Sequence, residues 1–413
     1  MNFPERHIVI NYFFDNLKLN YHIDDHSFND LKDLIPNNYS SFNSITDLSP
    51  CWLNWKSFSF PVFFEKPKDL FVSDQLTIDV FSNTFLLLSG YQEFISNDLD
   101  IHSRFKYQNS IQYIHNFVDT PVVNIYFEIF EKLAKKRGIT LQKKVIKEPI
   151  VFTHDIDQLR SGWFEDIGYE LRNFSFKSPF NISKSLFTKL FGLKDSYHQA
   201  YDKMLTIEKK HQVSAISFFM TEKSKKDADY DIQRVKYQKL IKNSHNEIGL
   251  HPGYYTYNNF ENFEKQLRIL SSFDFNVSKV RQHFLKFSIR ETPYIHNKNK
   301  ISEDYSLGFA EMYGFRNSIA LPFYLYDFNK NKAHPTIEIP LFFMDGTISH
   351  YRKDKNREEE FGKVLQSANK ILTLFSCKFS VLFHNTVFSE KKYKGFTKLY
   401  LDFIKLNKKF SND

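Results

Sequence analysis

From Pro149 onward the chain alternates short apolar runs with longer amphipathic stretches. The apolar runs are Ile150 to Thr153, Ser214 to Met220, Glu247 to Leu250, Lys279 to Gln282, Thr336 to Phe343 and Phe379 to Phe383. Between them, apolar residues recur at helical spacing in Arg234 to Asn243, Phe263 to Phe273, Glu358 to Phe375 and Gly395 to Leu406. Short runs rich in β-branched and aromatic side chains read as buried strands, and the intervals as helices. Such alternation predicts parallel strands joined by crossover helices, and this many units predict a barrel rather than a small open sheet. Gly162 to Lys210 is long and mostly helical in pattern. It reads as an insertion after the first strand, placed to roof a site.

The region before Pro149 has a different texture. Phe60 to Phe64 reads as a strand, and Asp79 to Tyr91 as a buried helix with apolar residues on most faces. The segment Glu131 to Glu148 is charged, carries Gly138 and precedes Pro149, which marks a boundary. The expected organisation is a smaller α+β domain over residues 1–145 and an α/β barrel over 149–413. His102 and Arg104 cluster in Asp100 to Phe105, a pattern that reads as a loop held by its own hydrogen bonds.

Four apolar runs lead directly into polar residues. Ile150 to Thr153 continues into His154, Asp155 and Asp157. Glu247 to Leu250 continues into His251. Lys279 and Val280 continue into Arg281 and His283, and Phe379 to Phe383 into His384 and Asn385. In a parallel barrel the C-terminal strand ends converge on one face, where active sites form. One histidine at a strand end is usually satisfied structurally. Four polar clusters at four such ends point to a shared site.

These residue types suit a divalent metal, because Asp and His ligate Zn²⁺, Fe²⁺, Co²⁺ or Mn²⁺. Of Asp155 and Asp157, one carboxylate can bind the ion while the other takes a proton from water, whose pKa a metal lowers to about 7. His384 can donate a proton to a leaving amine, and Arg281 can hold the basic carboxylate ionised.

Composition narrows the function classes. The 413 residues include 46 Phe and 23 Tyr, ample for a core, and a net charge of +8. That charge admits an anionic partner. The lysines are scattered along helical stretches, however, and no nucleic-acid motif is present. Two cysteines, Cys51 and Cys377, form no CxxC and no disulfide framework, so a reducing compartment is expected. The first residues lack a basic and then apolar leader pattern, and no run of 18 apolar residues exists. A cytoplasmic protein without a transmembrane segment is expected, reaching a membrane only through its basic surface.

The motifs resemble a known family. Thr153-His154-Asp155-Ile156-Asp157 is similar to the first motif of the polysaccharide deacetylases of carbohydrate esterase family 4, the NodB-homology proteins. Its usual form is Thr-Phe-Asp-Asp, and some lipid-sugar deacetylases read Asp-Val-Asp. Glu247-Ile248-Gly249-Leu250-His251 looks like the second motif. Arg281-Gln282-His283 sits where Arg-x-Pro is expected, and Leu382-Phe383-His384-Asn385 resembles the final Leu-x-His. Asp304 to Phe309, Gly314 to Arg316 and Ile339 to Asp345 are similar to a divergent bacterial branch found among surface-polysaccharide biosynthesis proteins. Leu86 to Phe94 and Asp100 to Phe105 resemble the uncharacterised domain that precedes that branch.

The resemblance implies a distorted (β/α)7-type barrel that removes an acetyl group from an N-acetylated sugar. Asp155 matches the general base, His384 the general acid and Arg281 the residue that orients the base. Asp157 and His251 match metal ligands, and the implied cofactor is a divalent metal, zinc ahead of iron, cobalt or manganese. The second histidine of the family's His-x-x-x-His falls on Tyr255, so a third ligand must come from elsewhere. His154 and His283 are the candidates. His154 comes first because its motif already supplies a ligand, although neighbouring strand residues point to opposite faces. Asp304, Arg316 and Asp345 are candidates to contact substrate. A precursor substrate is expected over a mature cell-wall polymer. A non-catalytic glycan-binding or scaffolding protein with a decayed site is the alternative that the Tyr255 departure raises. Hydrolysis of a non-sugar amide is a third reading.

Overall fold

The computed structural model describes residues 3–23, 30–31, 48–65, 67–72, 75–389 and 391–411. The dominant feature is one sheet of nine strands. In chain order they are β1 (Ile150–Ile156), β2 (Ala215–Phe219), β3 (Glu247–Leu250), β4 (Lys279–Val280), β5 (Glu303–Asp304), β6 (Phe323–Asp327), β7 (Lys332–Glu338), β8 (Leu341–Met344) and β9 (Phe379–Leu382). The spatial order is β6-β7-β5-β4-β3-β2-β1-β9-β8. Every pair is parallel except β6 with β7. Residues Ala215–Phe219 and Phe379–Leu382 are buried throughout, as strands covered on both faces must be.

The sheet curls into a distorted barrel, the α/β class expected. Closure comes from the bent segment that carries both β7 and β8. On one side Ile337 N donates to Ser302 O at 2.9 Å, Ile339 N to Asp304 O at 2.8 Å and Leu341 N to Leu307 O at 3.1 Å. On the other side Ser380 N donates to Pro340 O at 2.7 Å. The segment therefore belongs to β5 through its first half and to β9 through its second. Gly249 in β3 makes a close approach possible, since a Cβ there would lie 2.4 Å from the Phe218 ring.

The expected barrel helices are present as Val235–Lys242, Phe260–Ser271, Arg357–Leu374 and Phe396–Phe410. Asn356 starts the third of these: its Oδ1 accepts from the amides of Glu358 and Glu359, and the acidic first turn complements the helix dipole. The long insertion resolves into Gly162–Arg172, Ser178–Leu190 and Ser196–His211. The sequence pattern missed β5 and β6. β5 has two residues, too few to show a period, and β6 is antiparallel to the rest.

In the N-terminal region, Cys51–Trp55 pairs with Phe58–Val62, and helix Val80–Leu88 is buried on every side. Helix Val122–Lys136 runs into the charged segment read as a boundary, so residues up to 136 complete a helix there. Helix Arg6–Asn20 covers the edge strand β6. Its Tyr12 Oη donates to Tyr324 O at 2.5 Å, and its Asn16 Oδ1 accepts from Tyr324 N at 2.7 Å. These side chains satisfy edge groups that would otherwise invite another chain. One apolar cluster runs through both regions.

Candidate metal centre

The C-terminal ends of β1, β3 and β4 bring three donors together. Asp157 follows β1, His251 follows β3, and His283 follows β4. Their ligand atoms all lie within 4.8 Å of one another. His251 Nε2 is 3.4 Å from Asp157 Oδ1, and His283 Nε2 is 3.7 Å from Asp157 Oδ2. Phe284 and Leu285, directly after His283, both adopt the left-handed region with φ of 59° and 54°. This sharp, uncommon turn follows His283 directly.

The outer nitrogens of both histidines are engaged. His251 Nδ1 donates to the Arg281 carbonyl at 2.6 Å, which leaves Nε2 as the inward atom. His283 Nδ1 faces Asp227 Oδ1 at 3.4 Å. Asp227 is itself fixed by the Tyr254 amide at 2.7 Å and the Ser224 hydroxyl at 2.6 Å.

The donor set fits a divalent cation. His251 Nε2 and Asp157 Oδ1 are buried without a hydrogen-bond partner among the described residues. Burial lowers the pKa of His251, favouring the neutral ring, whose inward lone pair then faces carboxylate oxygens. Such electron-rich atoms repel unless a positive charge lies between them. Burial raises the Asp157 pKa, but His283, His251 and His384 outweigh it and drive the carboxyl far below its usual range. The same site raises His283 to about 9: burial opposes its charge, and Asp157 and Asp227 prevail. In the protein alone, a proton on His283 supplies part of the charge that a metal would bring.

Two further groups flank the cluster. Asp155 Oδ2 is 3.5 Å from His251 Nε2, and its Oδ1 is 3.3 Å from Arg281 Nη1. Arg281 is wholly buried and pinned, donating to Thr153 Oγ1 at 2.7 Å and Tyr305 O at 3.0 Å. The second is His384, whose Nε2 lies 3.7 Å from Asp157 Oδ2. Its Nδ1 donates to Asp345 Oδ1 at 2.7 Å, and its backbone N to Asp345 Oδ2 at 2.7 Å. Burial opposes the charged ring, but Asp345, Asp157 and Asp155 raise its pKa to about 10.

The structure does not bring every candidate here. His154 points away from the cluster: Nδ1 donates to Phe383 O at 2.8 Å, and Nε2 faces Glu208 Oε1 at 2.5 Å. Strand alternation along the unbroken β1 puts it on the opposite face from Asp155, so His283 stands where His154 is expected. Asp304 is buried beside His296 Nδ1 at 2.8 Å and accepts from the Ser306 amide. Arg316 forms a buried pair with Glu93, with Nε to Oε1 at 2.7 Å and Nη2 to Oε2 at 2.5 Å. Neither lines the cavity, so both are corrected from substrate contacts to structural groups. Asp345 does line it, holding His384. Tyr255 is 58% exposed and is not part of the cluster.

A cavity of about 640 Å³ opens over the cluster, lined by Asp155, Asp157, His251, His283 and His384. Glu165 and Tyr197 of the insertion line it too, and so does Arg104 of the N-terminal region. Sequence reasoning gave Asp227 no role, and read Arg104 as part of a self-contained loop. Arg104 does bind Asp100 at 2.7 Å, but it also donates to Phe284 O at 3.1 Å and Tyr351 Oη at 3.2 Å. No local signal could show those long-range partners.

Residues 7–139 match a family of unknown function (DUF7033). Among curated proteins, none matches the chain. A protein from Mycobacterium smegmatis assigned as a polysaccharide deacetylase is 12% identical, with 63% of this chain and 85% of that chain covered and a TM-score of 0.39. A CE4 family pseudoenzyme from Bacillus anthracis is 14% identical, with 62% of each chain covered and a TM-score of 0.31. A variant of it with restored enzymatic activity is also 14% identical, covering 62% of this chain and 64% of that one, with a TM-score of 0.31.

Proposed function

We propose that the chain is a metal-dependent hydrolase that removes an acetyl group from an N-acetylated sugar of a surface-polysaccharide precursor. The observation that carries this reading is the convergence of Asp157, His251 and His283, open to a cavity and flanked by Asp155 and His384. Asp157, His251 and His283 would hold the ion, zinc ahead of iron, cobalt or manganese. When bound, the ion supplies Lewis acidity towards an amide carbonyl and towards water.

The remaining steps fall to the protein's own groups. Asp155, oriented by Arg281, accepts a proton from the attacking water. His384, protonated and aimed by Asp345, donates to the nitrogen as the C–N bond breaks. The cavity has room for a sugar unit. The domain division near residues 146–148 and a cytoplasmic site of action belong to the same reading.

Non-catalytic glycan binding is the competing reading, raised by Tyr255. His283 supplies the third donor that Tyr255 lacks, which speaks for an intact site. The test is acetate release from N-acetylated sugars on nucleotide and lipid carriers, with metal content measured beside it. Release with about one metal per chain, lost in Asp155→Asn, supports the hydrolase. Release that survives Asp155→Asn removes the mechanism. A protein that takes up no metal and releases no acetate is the glycan-binding alternative.

A further inference from the structure

The first two helices of the insertion present their apolar side chains the wrong way round for a water-facing hairpin. Ten large apolar residues between 164 and 193 are exposed, among them Phe164, Phe174, Phe176, Phe180, Phe187 and Phe191. On helix Ser178–Leu190 the only buried residues are Ser178 and Ser185. These small side chains face helix Gly162–Arg172, where Ser178 Oγ donates to Glu170 at 2.8 Å. Phe180, Phe187 and Phe191 recur at seven and four residues, which places them in one stripe on the opposite, outer face. The rings of Phe187 and Phe191 lie 4.1 Å apart on that face. The tip between the helices adds Phe174 and the fully exposed Phe176. An apolar surface this contiguous marks an interaction site on a folded protein.

The charge on the same segment selects the partner. From the tip through the second helix, residues 171–194 contain Arg172, Lys177, Lys184, Lys189 and Lys194 and no Asp or Glu; the hairpin's acids, Glu165, Asp166 and Glu170, sit on the first helix, where Glu165 pairs with Lys392 and Glu170 with Lys391. Phenylalanine and leucine interleaved with lysine, on helices too short to span a bilayer, suit a helix lying in the plane of a membrane interface. No helix among the described residues is long and apolar enough to cross a membrane. Each lysine near an anionic lipid surface adds on the order of fivefold in affinity.

We propose that the hairpin Gly162–Leu190 docks in the headgroup layer of an anionic bilayer, with its outer phenylalanines reaching the acyl chains. Glu165 on its first helix lines the cavity, so docking sets the mouth of the candidate site at the membrane surface. Resting on the hydrolase reading above, this selects a sugar carried on a lipid as the substrate.

The test is co-sedimentation of the full chain with vesicles of phosphatidylglycerol and of phosphatidylcholine alone. The expected result is binding to the anionic vesicles. A variant with Phe176→Ser, Phe180→Ser and Phe187→Ser weakens it at least tenfold, and Lys177→Gln with Lys184→Gln removes the preference for anionic lipid. All three phenylalanines are exposed, so the variants keep the wild-type melting temperature. Wild type that stays in the supernatant overturns the proposal, as does binding that survives the Phe variant. A concentration-dependent dimer abolished by that variant, without vesicle binding, overturns it in favour of a second copy as the occupant. Vesicle binding requires neither metal nor turnover, so failure of the hydrolase reading leaves a separate signature.

Discussion

His283 Nε2 stands 3.7 Å from Asp157 Oδ2, while its other nitrogen faces Asp227 at 3.4 Å. His283, and not His154, is the residue grouped with Asp157 and His251. His283→Ala is therefore expected to lose at least about tenfold in zinc affinity, and Asp227→Asn about tenfold, since groups that orient ligands matter to that degree. Isothermal titration of zinc into the metal-free protein measures both. Unchanged affinity in His283→Ala would remove it from the site.

His154→Ala should separate structure from metal. The ring lies between Phe383 O and the buried Glu208, so its loss removes one of the carboxylate's partners and leaves it Tyr400 and Asn246. The expected cost is on the order of 2 kcal/mol of stability, as for a buried hydrogen bond lost, with zinc affinity unchanged. Urea denaturation and the same titration report the two quantities, and a protein that melts normally but loses zinc contradicts the placement.

The metal-free protein should lose stability at alkaline pH. His384 and His283 have folded-state pKa values raised to about 10 and about 9, against about 6.5 in the unfolded chain. A raised pKa stabilises fully below the unfolded value, and that contribution disappears as pH rises through the folded value. Melting temperature in a chelator should therefore decline between about pH 7 and 10. His384→Gln should flatten that decline. A slope identical to wild type would show that His384 is not charged in the folded state.

Arg316→Ala is expected to destabilise without touching the chemistry. It breaks a buried pair with Glu93, a penalty of about 3–5 kcal/mol. Zinc affinity should stay at the wild-type value, because Arg316 lies outside the cavity. Denaturation midpoints and zinc titration check it. A variant with normal stability but altered substrate affinity would restore Arg316 as a binding residue.

The alternation of apolar runs and amphipathic stretches by itself determined the barrel strands β1 to β4 and β9 and their crossover helices. The physical reason is local: a strand buried on both faces must be apolar along its length, and its polar end marks where the sheet meets solvent. By the same logic Asp155, Asp157, His251, Arg281 and His384 were legible, each next to a run that had to be a strand. Tertiary structure decided the rest. Whether His154 or His283 joins Asp157 depends on which face of β1 looks inward and on the left-handed turn at Phe284 and Leu285. Neither leaves a periodic trace. The partner of Arg316 is a glutamate of the N-terminal region, and Asp345 holds His384. Such pairings between residues distant in sequence arise only when packing brings their elements together. The outward phenylalanines of the insertion show the same limit. Their sequence reads only as a long, mostly helical insertion, and the packed hairpin reveals that Ser178 and Ser185 are the buried residues of its second helix.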